Sequence, residues 1–202
     1  MKQGEWRATT GVRGEAGFSL TELVVALAIA LILMGIGVPS FLRAYHSYQL
    51  SNAASQVADI LRLSRYEAIR RNRRVDCVVQ SSSTDPTLTN IWADSDQNGV
   101  QDPGEKTILL GTGGNLVAAG SVPNTAGLIA TAVSGTTPAT PSPTSSKITF
   151  DARGAATAGN VNVYYLASTI APEAGYRAVL LMPSGSIQIW ASDTSGNWLK
   201  VR

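Results

Sequence analysis

The sequence predicts an α+β protein in which one long N-terminal helix carries a mostly antiparallel β head. Three observations lead there. Residues 18–42 hold a single ionisable side chain, Glu22, and residues 23–38 hold no charge at all. Beyond Pro39 the apolar positions recur at steps of three and four. After Asn72 they break into short runs separated by Gly, Pro, Asn and Asp, the pattern of strands and turns.

Composition narrows the function classes. The 202 residues allow one domain and an appendage. A net charge of +2 is too small to define a nucleic-acid binder by bulk electrostatics. One cysteine, Cys77, excludes an intramolecular disulfide and a multi-cysteine zinc site. With one histidine, His46, and no nucleophile–base pair or phosphate loop, the chain reads as a non-enzyme without a catalytic residue.

The apolar run is long enough to cross a bilayer, which takes about 20 residues of helix. It is longer than the apolar part of a signal peptide, and Pro39-Ser40-Phe41 follows it instead of a small-residue cleavage site. Ahead of it, residues 1–17 carry Lys2, Arg7 and Arg13 against Glu5 and Glu15. A short positive flank stays cytoplasmic and sends the rest of the chain across. Glu22 lies near the cytoplasmic end of the run, and an ionised carboxylate at membrane depth costs on the order of 3 kcal/mol. No Lys or Arg within the segment pairs with it, so its partner must come from another copy or subunit.

Arg13-Gly14-Glu15-Ala16-Gly17-Phe18-Ser19-Leu20-Thr21-Glu22 resembles the prepilin-peptidase site of type IV pilins and type II secretion pseudopilins. The resemblance implies a leader over 1–17, cleavage between Gly17 and Phe18, and N-methylation of Phe18. It gives Glu22 the N-terminal amine of a neighbouring subunit as its assembly partner. Pro39 matches the helix-kinking proline of these proteins, and Gly35 and Gly37 before it favour local loss of helix. A transmembrane half over 18–42 then passes into an amphipathic half over 43–72.

In that second half Leu50, Ala53, Ala54, Val57, Ile60, Leu61, Ser64 and Ala68 form the stripe that meets the head. Arg62, Arg65, Arg70, Arg71, Arg73 and Arg74 gather at the helix end, where cations complement the dipole and can pair with Asp59 and Glu67. The stretch from Leu61 to Asn72 also resembles the helix end of the GspH/FimT family of minor pseudopilins and minor pilins.

Strands are expected at 75–80, 90–93, 106–110, 147–150, 161–167, 176–182, 186–190 and 198–201, within a head over 73–202. Cys77 falls in the first as a buried thiol. Residues 111–146, rich in Gly, Ser, Thr, Ala and Pro, read as one long flexible loop. Ile148-Thr149-Phe150-Asp151-Ala152-Arg153-Gly154 and the turn Ser184-Gly185-Ser186-Ile187 again resemble the GspH/FimT head, so the implied fold is pilin-like. Major pilins often close a C-terminal loop with a disulfide; this chain cannot, which favours a minor component.

Two further constellations carry chemistry. Asp94, Asp96, Asn98, Val100 (through its carbonyl), Asp102 and Glu105 match the oxygen-ligand spacing of an EF-hand-type calcium loop, with Gly99 at the turn. Strand-like flanks and Pro103-Gly104 speak for an ordinary polar hairpin instead. Lys200 and Arg202 alternate on the last strand beside Trp198 and resemble part of the basic tail of DNA-uptake minor pilins. Charged protection of a sheet edge is the competing account.

The expected protein is therefore a minor type IV pilin or type II secretion pseudopilin. It would be anchored in the inner membrane with its head periplasmic, cut by prepilin peptidase and built into a filament with other pilins at an inner-membrane assembly platform. No cofactor is expected unless the acidic loop takes Ca²⁺. The alternative is a DNA-receptor minor pilin using the basic tail.

Overall fold

The computed structural model describes residues 17–85, 87–133, 138–157 and 159–201. Residues 1–16, most of the expected leader, lie outside the described residues, as does Arg202. The chain divides into two compact units, Met1–Ser40 and Phe41–Arg202.

Helix α1 runs from Leu20 to Arg71. Its first part presents Leu20, Val24, Leu27, Leu31 and Met34 to the outside, and α1 is long and apolar enough to cross a membrane. An apolar surface facing outward all round is what lipid solvates and water does not. The helix continues unbroken through Gly35, Gly37 and Pro39, although Pro39 has no N–H to offer the carbonyl of Gly35. It stops where Asn72 takes a left-handed φ of 50°. The N–H of Asn72 donates to Ile69 (3.2 Å) and that of Arg73 to Ala68 (3.1 Å), a Schellman closure.

Among the described residues of the second unit, nine strands form two antiparallel sheets. Strands β1 (Val75–Ser81), β2 (Thr89–Asp94), β3 (Thr107–Leu110) and β5 (Ser145–Phe150) build the first, in the order β3-β2-β1-β5. Strands β4 (Asn115–Val117), β6 (Asn162–Ala167), β7 (Tyr176–Leu181), β8 (Ile187–Ser192) and β9 (Trp198–Lys200) build the second, in the order β4-β6-β7-β8-β9. The α1 stripe expected from its spacing is the buried one: Leu50, Ala53, Ala54, Val57, Ile60, Leu61, Ser64 and Ala68, with Ala58 added. It packs into one core with Val75, Cys77 and Val79 of β1, Phe150 of β5, and Leu166, Val179 and Leu181 of the second sheet. Ser64 satisfies its buried hydroxyl by donating to Ile60 O at 2.9 Å. Cys77 is fully buried, and that burial pushes its thiol up to about 12, an inert structural thiol.

The stretch 111–146 differs from the single flexible loop expected of it. It contains β4 and a second helix, α2 (Thr125–Ala132), whose Leu128 is fully buried. The reason lies on the far face of the second sheet. Val163, Tyr165, Ala178, Leu180 and Trp190 point away from α1, and Val122 and Leu128 cover them in a second core. Strands β6 and β7 are therefore buried on both faces, which is why their sequences run apolar without alternation. Asn124 accounts for the start of α2: left-handed at φ 50°, it accepts a hydrogen bond from Gly127 N (3.2 Å) and donates to Gly196 O (3.0 Å).

Candidate functional site

Three regions carry chemistry, and the first precedes α1. Gly17, Phe18 and Ser19 lie outside any helix or strand, with Phe18 exposed. Ser19 caps α1: its Oγ accepts from Glu22 N (3.2 Å) and its carbonyl from Leu23 N (3.2 Å). Ser19-Leu20-Thr21-Glu22 is thus a capping-box spacing, a local signal that the sequence reading passed over. Only half of the box forms. Among the described residues, the Glu22 carboxylate has no hydrogen-bond or ionic partner, so it is available to a group from outside. The Gly17–Phe18 bond joins two exposed residues, and its cleavage would create an amine about one helical turn from an acid that has no partner among the described residues.

The second region is the β2–β3 hairpin. Asp94 ends β2 with its side chain buried, accepting from Gln97 N (2.6 Å) and Gly99 N (2.8 Å). Gln97 and Gly99 take positive φ, 64° and 76°, which curls the loop back over that carboxylate. Glu105 accepts from Ser95 N (2.7 Å) and Asp102 N (3.2 Å), closing the other side. One oxygen each of Asp94, Asp96 and Glu105 lies within 4.8 Å of the others. Burial, with the Asp96 and Glu105 carboxylates adding to it, raises the Asp94 pKa against the pull of the Gly99 and Gln97 N–H groups. Of the remaining expected ligands, Asn98 bridges Asp96 and Asp102 through Nδ2 (3.0 and 2.6 Å), and its Oδ1 accepts from Val100 N (2.7 Å). An all-oxygen set with three converging carboxylates fits a hard divalent cation. The flanks are strands, as expected, so the loop is a hairpin with calcium-loop spacing and not an EF-hand.

Beneath this loop, buried Asp76 accepts from Thr149 Oγ1 (2.6 Å) and Gln97 Nε2 (3.0 Å) and pairs with Lys147 Nζ (2.9 Å). Burial alone would raise its pKa; the Thr149, Lys147 and Gln97 bonds and the Lys147 charge outweigh it and hold the carboxyl below its usual value. A depressed folded-state pKa adds stability above the unfolded value, near 3.9, that is lost as pH falls through the folded one. Unfolding titrations of the full chain should accordingly show an acid loss below about pH 4 that Asp76→Asn reduces.

Arg65 organises the third region. Its Nε donates to Gly154 O at 3.1 Å, and Gly185 packs directly over it. The helix-end stretch, the Asp151–Gly154 turn and the Ser184–Ile187 turn, separate in sequence, therefore meet on one guanidinium.

These are the segments that a family model recognises. The model for type II transport protein GspH matches residues 53–186, and the prokaryotic N-terminal methylation motif matches residues 12–38. The chain belongs to the GspH family. It is a pilin-like protein with an N-terminal methylation motif and an apolar N-terminal helix. Two crystal forms of the type IV minor pilin FimU of Pseudomonas aeruginosa are similar, at 15% and 14% identity. They cover 72% and 73% of this chain and 99% and 96% of theirs, with TM-scores of 0.45 and 0.44. No curated protein matches the chain.

In this GspH-family head the basic clusters divide. Arg62 pairs with Asp59 (2.7 Å), while Arg70 and Arg71 share Glu67 (2.7 and 2.8 Å). These are the helix-spaced pairs expected at the end of α1, and they occupy half of the arginines there. Lys200 is exposed on β9, the edge strand of the second sheet, and Arg202 lies outside the described residues. Trp198 is not an open stacking surface: its ring is half-buried against the second core, 6.1 Å from that of Tyr165.

Proposed function

We propose that this GspH-family chain is a minor filament subunit, a minor type IV pilin or type II secretion pseudopilin. It is made as a precursor, cut between Gly17 and Phe18 by prepilin peptidase, and methylated at Phe18. The apolar half of α1 holds it in the inner membrane, with the N-terminus cytoplasmic and the head periplasmic. At the assembly platform, Glu22 draws the chain into register against the terminal amine of a neighbouring pilin. The observation that carries this reading is the methylation motif ending in an exposed apolar helix, with a Glu22 carboxylate in its first turn that has no partner among the described residues. Mass spectrometry of the membrane-extracted chain should find Phe18 as a methylated N-terminus, and Met1 retained would refute it. Deleting the gene then separates the two systems. Lost surface pili with normal secretion mark a type IV pilin; trapped exoproteins with normal pili mark a pseudopilin.

We further propose that the β2–β3 hairpin binds Ca²⁺ as a structural staple, on the support of the converging Asp94, Asp96 and Glu105 oxygens. The cation would relieve the repulsion that this loop otherwise carries. Calcium should raise the melting temperature of the full chain by roughly 5 °C, and EDTA should reverse it. An Asp94→Asn, Asp96→Asn double variant should not respond. A wild-type chain indifferent to both additions would rule the site out.

The DNA-receptor alternative rests on exposed Lys200 and on Arg202, without the stacking surface that Trp198 would have added. Duplex binding that falls steeply with salt and vanishes in a Lys200→Ala, Arg202→Ala double variant would favour it. Equal behaviour of variant and parent would leave the tail as a charged edge.

A further inference from the structure

Among the described residues, Arg177 on β7 is a buried cation without an anion. It is 9% exposed, and its Nε donates to Ser51 Oγ (3.1 Å). Its Nη2 donates to Ser47 Oγ (3.0 Å), and its Nη1 to the carbonyls of Tyr176 (2.9 Å) and Ala174 (3.4 Å). All four acceptors are neutral. Among the described residues no carboxylate lies within ion-pair distance of the guanidinium; Glu173, the acid nearest in sequence, faces His46 at 3.7 Å instead. Burial also lowers the Arg177 pKa, with no anion to offset it. A guanidinium keeps its proton and offers five N–H groups, so a buried one ordinarily meets a carboxylate or phosphate. Here one Nη2 N–H is left over.

Arg177 lines a groove of about 530 Å³ between α1 and the second sheet, together with Ser51, Ser55, Ile189, Ala191 and Val201. The polar groups facing it are donors. Ser51 already accepts from Arg177, which leaves its own O–H to give, and Ser55 Oγ has no partner among the described residues. The other walls are aliphatic. We propose that this groove receives the carboxylate of an Asp or Glu side chain from a partner filament subunit. Arg177, Ser51 and Ser55 would be its donors, and Ile189, Ala191 and Val201 would contact its methylene stem. One positive charge in an aliphatic slot matches a singly charged acid on a short hydrocarbon stem. A phosphate, with up to two charges and more oxygens, would need more cations than line the groove. The assignment to a filament subunit rests on the assembly reading above.

The test uses the isotope-labelled full chain in detergent micelles and two capped tripeptides, acetyl-Leu-Glu-Leu-amide and acetyl-Leu-Gln-Leu-amide. The acidic peptide should shift the Arg177 Nε–H resonance and the Ser51 and Ser55 amides saturably, and bind roughly tenfold more tightly than the neutral one. Arg177→Gln should lose the response, but it also removes four internal hydrogen bonds. Val201→Trp is the cleaner variant: Val201 is 63% exposed, and the indole fills the groove while leaving Arg177 in place. It should keep the parental melting temperature and lose binding. Equal shifts from both peptides, or none at these positions, would make Arg177 a purely internal tie and overturn the site. In cells, Val201→Trp should lower incorporation into the filament; undiminished incorporation despite lost peptide binding would overturn the assignment to a subunit partner. The assembly reading fails by a separate sign, a parental chain that is absent from sheared filaments.

Discussion

Glu22→Ala is expected to leave the chain folded and membrane-bound but to remove it from sheared filaments. The substitution takes away a carboxylate that makes no hydrogen bond or ion pair with the described residues, so the chain's own stability has little to lose. Ser19 continues to cap α1 through its Oγ, because the bond it accepts comes from the backbone N–H of residue 22 and not from its side chain. What disappears is the demand for an outside cation. An ionised acid at membrane depth costs on the order of 3 kcal/mol, and meeting an amine recovers it, so incorporation should fall on the order of 100-fold. Glu22→Gln should behave like alanine, because it keeps the shape and loses the charge. Quantifying the subunit in sheared filaments against its amount in the membrane checks both. Parental incorporation by the alanine variant would remove Glu22 from the assembly mechanism.

The second large effect belongs to Gly175 and Gly185. Gly185 has a φ of +79°, and a Cβ there would overlap Gly154 O and come within 2.7 Å of Arg65 Nε. Those atoms form the hydrogen bond that ties the end of α1 to the head. At Gly175, φ 74° and ψ −149° is a region open only to glycine, and a Cβ would overlap the carbonyl oxygen of Ser192. In both places the obstacle is backbone, which cannot rotate aside. Gly175→Ala or Gly185→Ala should therefore cost about 2–4 kcal/mol, a large part of the roughly 5–15 kcal/mol that holds a typical domain. Gly120→Ala is the control, since a Cβ there meets nothing within 4 Å. It should be neutral or slightly stabilising, because it restricts only the unfolded chain. Denaturant midpoints of the full-length variants in micelles decide the matter.

The features that mark this chain as a GspH-family protein were legible for a physical reason. A long apolar segment, an N-terminal methylation motif and an amphipathic stripe are all local patterns, written over windows of roughly ten to thirty residues. The α1 stripe from Leu50 to Ala68 is buried as its spacing requires, and the eight expected strands each have a counterpart within two residues of their expected ends. The calcium-loop spacing was legible in the same way, and Asp94, Asp96 and Glu105 do converge. Asn98 does not join them as a free ligand: its amide is taken up bridging Asp96 and Asp102.

What escaped the sequence involves partners distant along the chain. Helix α2 carries no charged residue and almost no amphipathic signal in a Gly/Ala/Thr-rich stretch; it forms where it does because the far face of β6 and β7 needs cover. Arg65 was one of six arginines at the helix end, and only the approach of Gly154 and Gly185 singles it out. Arg177 carried no signal at all. Its neighbours Ser47 and Ser51 lie more than a hundred residues earlier, and its burial follows from the packing of α1 on the second sheet. Local periodicity and motif spacing thus gave the long apolar helix, the N-terminal methylation motif, the strands and the family. Which cations are paired, which are buried without an anion, and which glycines cannot accept a side chain depended on tertiary contacts, because burial and backbone approach are properties of surfaces that no single segment possesses.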